Sequence, residues 1–477
     1  MKSIKKNYFY NLFYQILVLL TPFITTPYIS RVLGADGVGT VSYAESIVSY
    51  FTLFATLGIT TFGQREISYV QDEFIGRSKK FWEIKIFEFF TSLLCLTIYL
   101  VYWLLTGATL LYLLLMFNIL AVLVDITWFF QGLEEFGLIV FRNVVIKVLN
   151  IICIFVFVKQ PGDFVLYAFF IGFFSFLSNV SLWGYLKKYI CKVNLRELHP
   201  FDSYKEVLAL FIPTIAIQIY TVLDKTMIGV ITQNSFENGY YEQAIKISKM
   251  VMFIVTSLGT VMIPRVGYFF SKNEHEKVKS LIYSSYRFVW FMGIPLCLGL
   301  ISISDVFIPW FLGEGFSKTA ELVQILAFLI LAIGLSNVTG TQYLIPTKKQ
   351  NIYTSSVCLG ACVNFVLNIL LIPKLASMGA AVASVVAEFF ITLFQIIMTR
   401  NYISPKQIIV EGRNYYIAGA IMFFITMSVK QVVRANIIGV FIIVLCGVLG
   451  YTTVLILIKD SFLYENIQTV LKKIRRD

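Results

Sequence analysis

Apolar runs of about 20 residues recur from one end of this chain to the other, separated by short polar segments. A run of that length is what an α-helix needs to cross the ~30 Å hydrocarbon core of a bilayer. With 58% hydrophobic and 14% charged residues among 477, there is too little polar sequence to cover these runs in a soluble fold; ordinary soluble domains carry about 25% charged residues. In lipid every backbone amide needs an internal partner, which a helix supplies within each segment. The pattern therefore predicts an all-α integral membrane protein with about 14 transmembrane helices. They fall near 8–32, 41–62, 81–105, 108–130, 138–158, 164–186, 205–230, 239–263, 281–303, 319–345, 351–372, 379–400, 414–433 and 437–458. The first run contains Pro22 and Pro27 and no small-residue cleavage site, so it reads as a span and not as a removable signal.

Loop charge sets the orientation. With the amino terminus inside, the cytoplasmic segments hold 26 of the 39 Lys and Arg, as the positive-inside rule requires. Both termini are then cytoplasmic. The net charge of +12 reflects these loops beside anionic headgroups, where each base gains about 1 kcal/mol, and not a nucleic-acid surface. The tail "LKKIRRD" fits an interfacial anchor or a solvated end equally well.

The longest outer segment, near "SDVFIPWFLGEGFSK", is expected to be a loop of about fifteen residues, too short to fold alone. Seven cysteines stand singly and both histidines, His199 and His275, lie in polar loops. No metal spacing, phosphate loop, nucleophile elbow or dinucleotide fingerprint is present. These features exclude the usual enzyme classes and favour transport, with no cofactor expected and coupling to H+ or Na+ left open.

The basic loop "KKYICKVNLRELHPFDSYKE" after the sixth span divides the chain. We expect a six-helix lobe over 1–186, a cytoplasmic linker over 187–204, a second six-helix lobe over 205–401, and two additional helices with a basic tail over 402–477. The first helix of each half carries proline, in "LLTPFITTPYISRVLG" and "LFIPTIAIQIYTVLDKTMIG". The next begin "GTVSYA" and "GYYEQA", with Gly39 and Ala44 matched by Gly239 and Ala244. An even number of spans per half makes this a parallel repeat around a central cavity.

Charges within spans cost at least about 2.5 kcal/mol and so line cavities or pair with each other. Asn143, Lys147 and Asn150 share one helix face; Glu242, Lys246 and Lys249 do likewise, with Glu242 placed to pair with Lys246. Ser42, Glu45, Ser49, Thr52 and Thr56 form a third stripe, and Asn364 with Asn368 a fourth. Four stripes suggest one wet cavity, for which we select Arg31, Glu45, Arg142, Lys147, Asp224, Lys225, Lys246 and Lys249. Interhelical hydrogen bonding is the competing explanation for each stripe.

Three stretches, "TPYISRVLGADGVGTVSYAES", "DITWFFQGLEEFGLIVFRNVVIKVLNIICIFVFVKQPGD" and "NGYYEQAIKI", resemble bacterial Wzx-type oligosaccharide flippases. Their superfamily also contains multidrug and toxic-compound extruders and peptidoglycan-precursor flippases. The resemblance implies movement of undecaprenyl-pyrophosphate-linked oligosaccharide repeat units from the inner to the outer leaflet, by alternating access, for capsule, exopolysaccharide or O-antigen-type polymers. It further implies glycosyltransferases and a polymerase as pathway partners, and a cationic cavity to which Arg31, Arg142 and Lys147 contribute. A cation-coupled multidrug exporter is the alternative, but the acid that many such extruders carry in the first helix is missing between Asn7 and Leu33.

Overall fold

A computed structural model describes residues 4–434 and 436–465, with side chains from residue 21 onward apart from positions 195, 212–214, 216, 217, 219 and 220. The basic tail and the side chains of Lys5, Lys6 and Pro213 lie outside the described residues, as does all of Lys2. Among the described residues the regular structure is entirely helical, and the chain divides into two compact units, Met1–Gly239 and Tyr240–Asp477.

The first unit contains α1 (Ile4–Thr56), α2 (Ile59–Tyr69), α3 (Phe74–Thr106), α4 (Leu110–Leu123), α5 (Thr127–Gly132), α6 (Phe136–Phe157), α7 (Phe164–Leu186) and α8 (Tyr204–Thr232). Helix α9 (Ser235–Thr256) begins there and continues into the second unit. That unit adds α10 (Leu258–Ser271), α11 (His275–Leu312), α12 (Ser317–Leu326) and α13 (Phe328–Asn337). It is completed by α14 (Gln350–Leu375), α15 (Ser377–Thr399), α16 (Pro405–Glu411), α17 (Arg413–Val432) and α18 (Ile437–Leu457).

Twelve helical stretches among the described residues are long and apolar enough to cross a membrane. One of them runs from Thr21 to Tyr69, inside a helical path that includes the 53-residue α1. At ~1.5 Å per residue such a helix far exceeds one bilayer core. Gly34 breaks it, with φ 67° and ψ 179°, a backbone region essentially reserved for glycine. Two crossings thus share α1, and the 29-residue α8 stands beside the twelve, which brings the total to about fourteen.

Three expected boundaries move. The second span ends at Thr56, where Leu57 and Gly58 adopt positive φ and turn the chain into α2. The fourth is interrupted between α4 and α5, where Asp125 uses its carboxylate to accept the Thr127 N–H at 2.8 Å. The segment after Ser304, expected to be an outer loop, is mostly helix: α11 runs to Leu312 and leaves only 313–316 as connection. Polar tethers near its end, including Gln324 to Asp305 at 2.6 Å and a Lys430–Asp305 ion pair, hold that end in place.

Glycine permits the closest helix approach in the first unit. A Cβ on Gly39 would lie 1.7 Å from the Ser235 carbonyl oxygen, and one on Gly239 would lie 1.9 Å from that of Ala35. The contact is reciprocal at a spacing of 200 residues, and it explains the sequence match between "GTVSYA" and "GYYEQA" as a packing requirement. The Ser235 hydroxyl donates to Asp36 beside it. With no hydrophobic drive between helices in lipid, such close packing and interhelical hydrogen bonds carry the association. In the second unit, α17 and α18 are fastened to α11 by a cluster containing Ile294, Tyr415, Met422 and Tyr451. The Tyr451 hydroxyl donates to Phe291 O at 2.8 Å and Arg287 pairs with Glu411 at 2.6 Å.

Candidate functional site: a two-chambered polar cavity in the first unit

The stripe on α6 becomes a wall. Asn143, Lys147 and Asn150 all line a cavity of about 550 Å³, together with Arg142 and with Ser175, Ser178 and Asn179 of α7. Arg142 is only 7% exposed. Its Nη1 donates to Ser178 O at 2.7 Å, while Nε and Nη2 donate to Asn143 Oδ1 at 3.1 and 2.6 Å. That fork fixes the guanidinium and, by occupying the Asn143 carbonyl, turns the Asn143 NH₂ outward as a donor. Lys147 is half-buried and, among the described residues, makes no hydrogen bond or ion pair. A cation held among apolar helices without a protein counter-charge is costly, and an anionic ligand would offset that cost. Asn150 Oδ1 is likewise buried without a hydrogen bond.

A second chamber of about 410 Å³ shares Asp125, Ser175 and Asn179 with the first. Glu45, Ser49 and Thr52 line it from α1, Asn118 from α4 and Lys225 from α8. Behind this wall Lys85 and Glu88 form a buried ion pair at 2.8 Å, with Lys85 also donating to Asp125 O at 2.7 Å. Trp128 Nε1 reaches Glu88 at 3.4 Å. The pair is part of the scaffold that presents Asp125.

Of the eight residues selected from the sequence, Glu45, Arg142, Lys147 and Lys225 line the cavity. Asp224 is buried beside Lys225 at 5% exposure. Arg31 is exposed on α1, before the Gly34 break. Lys246 and Lys249 belong to the second unit; Lys246 pairs with the buried Glu242 at 2.9 Å as its spacing predicted, and Lys249 is exposed. The fourth stripe is glue between helices. Asn368 donates to Asn364 at 3.0 Å, Asn364 reaches Ser384 of α15, and both asparagines are fully buried.

Sequence reasoning missed Asp125 as a site residue, and Asn118 and Asn179 entirely. Ser175, Ser178 and Asn179 fall at i, i+3 and i+4 on α7, a polar stripe that could have been found. Asn118 is a single amide in an apolar helix and gives no such signal.

The second unit has a different cavity, a groove of about 360 Å³ among α9, α11, α17 and α18. Leu296, Gly299, Ile303, Met422, Val444 and Val448 are among its lining residues.

A family model described as polysaccharide biosynthesis protein matches residues 4–270, more than half of the chain. The chain belongs to that family. It is 24% identical to a protein of Shigella dysenteriae assigned as an O-antigen transporter, over 79% of this chain and 95% of the relative. An Escherichia coli protein with the same assignment is 21% identical over 84% and 97%. Among solved structures, the lipid II flippase MurJ in an inward closed conformation aligns with a TM-score of 0.71 at 17% identity, covering 97% of this chain and 99% of that one. An inward-facing multidrug transporter of the MATE family aligns at 0.61 with 11% identity, covering 83% and 99%. These structural likenesses establish the membrane fold that this member of the polysaccharide biosynthesis protein family shares.

Proposed function

We propose that this protein is a flippase that carries undecaprenyl-pyrophosphate-linked oligosaccharide repeat units from the inner to the outer leaflet of the bacterial cytoplasmic membrane. The observation that carries the proposal is a polar cavity inside membrane-spanning helices, walled by Lys147, which has no partner among the described residues, and by the clamped Arg142. A diphosphate crossing lipid loses its hydration, and charge-assisted hydrogen bonds to these groups offset that loss. The apolar groove in the second unit suits a polyprenyl chain, which has no polar atoms to satisfy. The kinship with assigned O-antigen transporters supports the same substrate class.

Alternating exposure of the cavity to the two leaflets completes the cycle. Glycosyltransferases would supply the substrate on the inner face, and a polymerase would consume it outside for capsule, exopolysaccharide or O-antigen-type polymer. Arg31 and Asp224 remain in this reading as first-unit charges for the headgroup, and Lys246 and Lys249 are retained as charges of the second unit that act on the same substrate.

Deleting the gene should leave lipid-linked repeat units on the cytoplasmic face and stop surface polysaccharide. Unchanged polysaccharide with raised sensitivity to cationic dyes would instead establish the multidrug exporter. Reporter fusions at 70, 195 and 348 should read cytoplasmic and at 161 and 235 external, with both termini inside.

A further inference from the structure

The two chambers differ in the sense of their hydrogen bonding as well as in charge. On the α1 wall of the second chamber, the hydroxyl protons of Ser46, Ser49 and Thr52 are already committed to the helix itself. Ser49 Oγ donates to Glu45 O at 2.7 Å, Thr52 Oγ1 to Ser49 O at 3.0 Å, and Ser46 Oγ to Tyr43 O at 2.6 Å. Serine and threonine bonded back in this way leave lone pairs, not protons, for a neighbour.

The amides are committed in part, each keeping a second N–H. Asn118 Nδ2 donates to Leu115 O at 3.2 Å and Asn179 Nδ2 to Ala121 O at 2.9 Å. Only the NH₂ end of an amide can donate to a carbonyl, so these bonds fix both side chains with one N–H bound and the carbonyl oxygen pointing elsewhere. The carboxylates of Glu45 and Asp125 add two groups that only accept. Lys225 is the cation among these lining residues. This wall therefore asks for donors.

The adjoining chamber asks for acceptors. It presents the Lys147 ammonium, the NH₂ of Asn143 and the charge of the Arg142 guanidinium, whose Nε, Nη1 and Nη2 already donate within the protein, against the shared carboxylate of Asp125 and the Asn150 Oδ1. Charge follows the same division: two acids to one base on the α1 side, two bases to one acid on the α6 side.

Resting on the flippase reading, we infer that the cavity sorts the headgroup by hydrogen-bond sense, and that its substrates carry neutral or amino sugars beside the diphosphate and not uronic or other acidic sugars. The phosphates, which bring only acceptors, occupy the α6 chamber. A sugar rich in hydroxyl, ammonium or acetamido N–H donors fills the α1 chamber. A carboxylate on that sugar would add acceptors facing acceptors and negative charge facing Glu45 and Asp125, an arrangement that rejects ligands through unpaired polar groups.

The test uses the full-length protein in lipid vesicles with two polyprenyl-pyrophosphate disaccharides that differ only in one residue, glucose or glucuronic acid. The glucose form should cross at least tenfold faster. In the Glu45→Gln, Asp125→Asn protein the gap should narrow to about threefold or less through a gain on the glucuronate form. The asparagine keeps an oxygen for the Thr127 N–H, and the unmodified protein tests the preference without any substitution. Equal or faster movement of the glucuronate form by the unmodified protein overturns the sorting inference and leaves the flippase reading standing. A gap unchanged in a folded double variant also overturns it. Movement of neither compound overturns both.

Discussion

On α3 of the first unit, Lys85 and Glu88 form a buried ion pair behind the polar cavity; 200 residues later, α11 of the second unit carries Ser285 and Phe288. The same spacing matches Gly39 with Gly239 and Arg65 with Arg265. What the matched glycines share is a packing requirement, since both sit at one close helix crossing. What diverged is the chemistry each unit encloses, polar and charged between α1, α4, α6, α7 and α8, apolar among α9, α11, α17 and α18. A shared packing requirement at one helix crossing thus does not fix the chemistry of the cavity beside it.

The largest expected effect falls on the ion pair. Removing one member leaves an uncompensated buried charge, so Lys85→Met should cost about 3–5 kcal/mol and lower the melting temperature of the detergent-solubilised protein sharply. The Lys85→Met, Glu88→Leu double substitution should recover most of that loss, because two apolar side chains leave no unpaired charge. Failure of the double substitution to recover would mean that the pair has a role beyond supporting Asp125.

Lys147→Ala should insert and fold normally yet slow transport by roughly 10- to 100-fold, the scale of losing a hydrogen bond to a charged group worth ~1.5–3 kcal/mol. Lys147→Arg should keep part of the rate, since charge survives with different geometry. Surface polysaccharide normalised to protein level reports both.

A Cβ on Gly299 meets nothing within 4 Å, although the residue lines the groove of the second unit. Gly299→Leu should therefore fill the groove without disturbing the helix. We expect a several-fold slower transport of long-chain substrate and little change with a short-chain analogue, measured in vesicles. Equal slowing of both would assign the groove no part in holding the chain. The smallest effect belongs to the exposed Arg65–Glu206 pair at 2.7 Å: Glu206→Ala should change stability by under ~1 kcal/mol and leave transport intact.

The sequence carried the membrane class, the number of crossings and the α6 wall because each is written along one helix. Periodicity places Asn143, Lys147 and Asn150 on one face whatever surrounds it. The same logic failed for Asn364 and Asn368, since a shared polar face cannot distinguish water from a neighbouring helix: Asn364 meets Ser384 of α15, and Asn368 donates to Asn364. Asp125 was legible as a charge but not as the residue common to both chambers. That role depends on the break between α4 and α5 and on Lys85 fixing its carbonyl. The hydrogen-bond sense of the α1 chamber was invisible for the same reason, because Asn179 is oriented by a carbonyl 58 positions away.

The division of labour between the units is open to direct measurement by photo-cross-linking. A benzophenone amino acid at Ile146 would report on the polar cavity, and one at Leu296 on the groove. Polyprenyl-pyrophosphate oligosaccharide labelled separately in its sugar and in its prenyl chain is irradiated with each variant in membranes, and mild acid then cleaves the sugar–phosphate bond. Position 146 should retain sugar label and position 296 prenyl label. Prenyl label at 146 with sugar label at 296, or no label at either from efficiently irradiated protein, would contradict the assignment of headgroup to the first unit and lipid to the second.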